Sequence, residues 1–144
     1  MMNVIRILIV LSAAQLSFAA DPATEIRAVI DAQVEAWNRG DIDAFMEGYE
    51  RSDDTTFVSD RVLKGWDRVI QRYRTKYGSR EKMGTVRFSE IQVQMLGRDH
   101  ASVLGRFAVT RDAAAGGDVS GRFTLVFKRT PTGWKIILDH TSAD

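Results

Sequence analysis

Between residues 20 and 80 the apolar positions recur at helical spacing, and from Gly84 onward they alternate with polar ones. Ile26, Val29, Ile30, Val34 and Trp37 fall on one helical face. Asp21-Pro22 suits its start, because Asp accepts from free amides and Pro favours the first helical position. Gly40 predicts its end, since glycine takes a left-handed cap without a Cβ penalty. Asp41 then caps a shorter helix carrying Ile42, Phe45, Met46 and Tyr49. Residues 55–58 predict a short strand, 59–61 a turn and 62–64 a return strand. A third helix over 65–77 places Trp66, Val69, Ile70, Tyr73 and Tyr77 on one stripe. Its other face, with Asp67, Arg68, Gln71, Arg72, Arg74 and Lys76, reads as solvated.

The alternating part predicts four long strands at 85–96, 101–111, 119–129 and 134–142. Their short connections require an antiparallel meander, since parallel strands need a crossover of a dozen or more residues. Phe123, Leu125 and Phe127 share one face, opposite Arg122, Thr124 and Lys128. In the last strand, strict alternation sends Trp134, Ile136, Leu138 and His140 inward and Lys135, Ile137, Asp139 and Thr141 outward. The first long strand changes phase between Val86/Phe88 and Ile91/Val93/Met95, which requires a bulge near Ser89-Glu90 and a bent sheet. Three helices over one face of such a sheet make an α+β cone with a pocket between the layers.

The first residues read as an address. Arg6, the apolar run 7–11 and the small residues around Ser17-Phe18-Ala19 have the form of a secretory signal peptide cleaved after Ala19. The run is too short and polar to serve as a membrane anchor across ~30 Å of hydrocarbon. Residues 20–144 then form one domain, periplasmic or secreted, with equal numbers of basic and acidic residues. With 44% hydrophobic and 27% charged residues the composition is that of a globular domain, and the charge balance gives no footprint for nucleic acid. The absence of cysteine excludes disulfides, thiolate metal sites and a cysteine nucleophile. With 2 histidines and no ligand spacing, no metal or cofactor is expected.

The stretches Ala36-Trp37-Asn38-Arg39-Gly40-Asp41, Phe45, Tyr49, Gly65 with Tyr73, residues 121–127 and the ending 133–142 resemble the nuclear transport factor 2-like superfamily. Within it, the chain is most similar to the SnoaL-like and DUF4440 group. The resemblance covers residues 20–144 and implies the cone fold. It leaves activity open, because the superfamily spans isomerases, dehydratases, cyclases, transport adaptors and oligomerising domains. Its steroid isomerases use a carboxylate base with an oxyanion hole of Tyr and protonated Asp. Here Ser59 falls near the base position with Asp60 beside it, and Gln33 stands where the isomerases carry their tyrosine.

The candidate chemistry is sparse. His140, placed inward by alternation, is a candidate acid or base near neutral pH, and Asp60, from the cluster with Asp53 and Asp54, a second. Tyr49, Phe57, Trp66, Tyr73, Phe107 and Phe123, with His140, are the candidate pocket lining. Trp37, Phe127 and Trp134 share their periodicity, and the two tyrosines stand out because a buried hydroxyl requires a partner. The expected function is binding of a small apolar or aromatic ligand; the alternative is a cofactor-free isomerase, cyclase or lyase using His140. The half-apolar outer sheet face, including Leu104, Val126 and Ile137, predicts a homodimer in which Asp139 meets Arg106 or Arg122 of a second copy.

Overall fold

The computed structural model describes residues 20–144; the export segment expected at 1–19 lies outside them. Helices α1 (Pro22–Asn38), α2 (Ile42–Met46), α3 (Trp66–Lys76) and α4 (Arg80–Met83) pack on a six-stranded sheet. Its strands are β1 (Thr56–Val58), β2 (Val62–Lys64), β3 (Thr85–Met95), β4 (His100–Thr110), β5 (Val119–Thr130) and β6 (Gly133–Ala143), in the order β2-β1-β6-β5-β4-β3. The long strands form the expected antiparallel meander. The short β1 joins it parallel to β6, which makes the whole sheet mixed. It is curled but not closed, and the helices cover its concave face.

Local sequence accounts for most of the boundaries. Asp41 caps α2 by accepting from the Ala44 amide at 2.9 Å, whereas the Asp21 side chain makes no cap bond and Pro22 alone marks the start of α1. Gly40 takes φ +82° just past α1, as its position predicts. The single turn α4, capped by Ser79, is too short to show a period, so the apolar pattern predicts no helix there. The β3 bulge falls between Ser89 and Gln92, with Glu90 at φ 55°, where the phase change of the apolar residues requires it.

The core lies between α1, α2, α3 and the inner sheet face. Met46, Val69, Phe127 and Ile136 are fully buried, each contributing about 1.5–3 kcal/mol of transfer free energy. Trp37 packs within its aromatic cluster, meeting Phe45, Tyr73 and Tyr77 edge to face with centroids 4.9–6.1 Å apart. Its indole N–H donates to the Met83 carbonyl at 3.0 Å. The next residue, Asn38, joins α1 to β3: its amide donates to the Val86 carbonyl at 3.0 Å and its oxygen accepts from the Val86 N–H at 2.7 Å. Arg27 adds a bond to the Ile91 carbonyl at 3.0 Å.

Candidate functional site

The helices and the curled sheet enclose a cavity of about 580 Å³, within the range of small-molecule sites (about 300–1,000 Å³). Its wall is aromatic and aliphatic. Trp37 and Phe45 come from α1 and α2, Phe57 from β1, Tyr73 from α3 and Tyr77 from just past its end, and Phe88, Phe107, Phe123 and Leu125 from the long strands.

One carboxyl group reaches deep into this wall. Asp139 is 4% exposed and is the one buried acid among the described residues. Its Oδ2 accepts from the Tyr49 hydroxyl at 2.6 Å and its Oδ1 from the Thr141 hydroxyl at 2.7 Å. The Tyr49 oxygen lies 3.3 Å from the Tyr73 hydroxyl. A phenol has one proton, so when Tyr49 donates to Asp139 the Tyr73 proton is directed to Tyr49. Tyr49 is aimed by its backbone. The chain after α2 runs beside β6, with Glu50 N–H donating to the Ile136 carbonyl and Ile136 N–H to the Gly48 carbonyl, at 2.9 and 2.8 Å. Gly48 lets the same segment lie close against α1, because a Cβ there would sit 2.7 Å from the Gln33 amide nitrogen. Gln33 itself lines the cavity and donates to the Phe45 carbonyl at 3.1 Å.

Burial raises the Asp139 carboxyl above the ordinary carboxylate range, against the opposing pull of the bonds from Tyr49 and Thr141. Burial and the neighbouring carboxylate raise Tyr49 well above an ordinary phenol, and Tyr73 shifts in the same direction for the same two reasons. Asp60 behaves oppositely. It is exposed on the cavity rim, accepts from the Ser59 hydroxyl at 2.8 Å, and is held below the usual range by that bond and by Arg61.

The structure places Tyr49, Phe57, Tyr73, Phe107 and Phe123 on the cavity wall and Asp60 at its rim. Trp66 lies outside: its indole N–H donates to the Met46 carbonyl at 3.2 Å and Arg51 stacks on its ring at 4.3 Å. Phe127 and Trp134 are buried core residues outside the lining. His140 is exposed on the outer sheet face, and Asp139 and Thr141 take the inward positions, reversing the expected faces. The cause is a second bulge. Val126 pairs with Leu138 but Phe127 with Ile136, which leaves Ile137 as an extra residue. The consecutive apolar residues Ile136-Ile137-Leu138 were the available signal, since strict alternation does not produce three in a row. Asp139 therefore cannot meet a second copy's Arg106 or Arg122; Asp144 of the same chain holds those two at 2.9 and 3.5 Å.

The SnoaL-like domain family matches residues 26–143. Among solved structures, a nuclear transport factor 2-like protein of unknown function from Shewanella oneidensis is 33% identical, with TM-score 0.79 over 85% of this chain and 99% of that one. A ketosteroid isomerase-like protein from Erwinia carotovora atroseptica is 22% identical, with TM-score 0.66 over 83% and 94% of the two chains. A nuclear transport factor 2-like protein of unknown function from Pseudomonas putida is 21% identical, with TM-score 0.70 over 84% and 85%. No curated protein matches the chain. With the family match spanning nearly the whole described domain, this chain belongs to the SnoaL-like family of the nuclear transport factor 2-like superfamily.

Proposed function

We propose that this chain is an exported domain that binds a small, largely apolar molecule in the cone, with a polar atom of that molecule against the Tyr73–Tyr49–Asp139 chain. The supporting observation is the aromatic cavity into which a buried, hydrogen-bonded carboxyl projects. Native mass spectrometry of protein purified from its own host tests it, with a non-covalently retained small molecule as the expected result. Protein that arrives at the bare chain mass and takes up no apolar probe refutes it. The same sample tests export, since its amino-terminal residue is expected to be Ala20 rather than Met1.

A second reading, cofactor-free proton transfer, is favoured by one observation: an aspartate whose proton affinity is raised by burial faces an apolar cavity. Asp139 takes the acid–base role assigned from sequence to His140. When Asp139 carries the proton, the hydroxyl chain reverses and Tyr73 becomes a donor to the ligand; when it is ionised, Tyr73 is an acceptor. Loss of turnover with retained binding in Asp139→Asn is the signature of this reading.

The outer sheet face is the proposed dimer surface. Leu104, 44% exposed, lies in one cross-strand row with Thr124 and His140. The neighbouring row carries Val126 and Leu138, and Arg106 and Arg122 form a polar border. Sedimentation equilibrium is expected to give a dimer that Leu104→Glu splits; a concentration-independent monomer refutes it.

A further inference from the structure

The polar stripe of α3 does more than face water. Arg72 and Lys76, one helical turn apart, turn to the cavity rim, and Arg111 reaches it from the end of β4. No carboxylate oxygen lies within 4.0 Å of the charged nitrogens of these three among the described residues, although Asp118 accepts from the Arg111 backbone N–H at 3.0 Å; Arg61, Arg74, Arg106 and Arg122 are all ion-paired. Arg72 is nevertheless held in place. Its guanidinium carbon lies 4.4 Å from the Phe57 ring centroid, and one nitrogen donates to the Ser59 hydroxyl at 3.3 Å. The remaining N–H groups of a planar five-donor fork are left to serve a ligand. Arg111 is fixed by carbonyl oxygens, donating to Gly117 at 2.7 Å and Lys82 at 2.9 Å, contacts that orient the charge without neutralising it. The opposing charge on the rim is Asp60, already engaged by Ser59 and by Arg61 at 3.4 Å.

An apolar chamber with unpaired cations at its mouth, two of them held in place, suits a molecule of matching asymmetry. We propose that the ligand is an amphipathic organic anion, its apolar body in the cavity and its acidic group, a carboxylate or sulfonate-like oxyanion, on Arg72 with Lys76 and Arg111 alongside. This rests on the cavity being a binding site, and the test separates the two claims by comparing anilinonaphthalenesulfonate with its uncharged parent, phenylnaphthylamine. Both are titrated by fluorescence against the full domain.

The anion is expected to bind at least about tenfold more tightly than the parent, the size of one charge-assisted hydrogen bond. The parent should displace it from one shared site, and added salt should weaken the anion alone. Arg72→Gln should bring the two affinities together while Arg72→Lys keeps most of the difference. Lys76→Gln, at an exposed helix position, should give a smaller reduction without touching the fold. Equal affinities in the unaltered protein, or a preference that survives both Gln substitutions, overturn the anion assignment and leave the cavity reading standing. An anion that the parent cannot displace also overturns it. Failure of both probes to bind overturns both claims.

Discussion

β5 and β6 lie side by side, are of nearly equal length and carry similar apolar content, yet they relate to their sequences differently. In β5, Gly121, Phe123, Leu125 and Phe127 are buried in strict alternation. In β6 the alternation holds for Trp134 and Ile136, breaks at Ile137, and resumes on the other parity with Asp139. One inserted residue exchanges a histidine for an aspartate at the cavity wall. The apolar pattern fixes a strand's face only as far as the next bulge, and a polar residue beyond it is assigned by counting through an irregularity.

Three substitutions sharpen that contrast. Phe127, fully buried and opposite the break in β6, should lose about 3–5 kcal/mol on replacement by Ala. A loss below about 1 kcal/mol in a denaturant titration would show the bulge to be loosely packed. Asp139→Asn probes the residue the bulge turns inward. Because burial raises the native carboxyl above its unfolded value, the stability tied to its protonation is complete below the unfolded carboxylate range. That stability is lost as pH rises through the native value. The melting temperature of the unaltered protein minus that of Asp139→Asn should therefore fall from acidic to neutral pH. A flat difference would mean that the carboxyl titrates as it does in the unfolded chain. The smallest effect belongs to His140→Gln, an exposed site, with stability expected within about 0.5 kcal/mol and probe binding unchanged. Lost binding there would return His140 to the cavity.

The fold was legible because its signals are local and repeated: the Trp37 face of α1, the Gly40-Asp41 junction, and a phase change in β3 that required a bulge where one occurs. The pocket aromatics were legible in part for the same reason. Tyr49 and Tyr73 carry hydroxyls that a buried site must satisfy, and they do so in series, Tyr73 on Tyr49 and Tyr49 on Asp139. What the pattern withheld was long-range. Whether Trp66 reaches the cavity depends on the carbonyl its indole finds in α2, and whether Arg72 is solvent-facing or rim-facing depends on how α3 sits over Phe57. The parallel pairing of β1 with β6 likewise has no short-range signature.

Asn38 has a consequence for the protein's behaviour in company. β3 ends the sheet, so one side of its backbone lacks a neighbouring strand. By bonding both the N–H and the C=O of Val86, the Asn38 amide occupies the two groups that a foreign strand would use to begin pairing there. Further along the same edge, Arg27 holds the Ile91 carbonyl and the kink at Glu90 breaks the straight ladder. A side chain from α1 thus stands in for a missing strand, and guards the meander against zippering with its own kind in a crowded compartment.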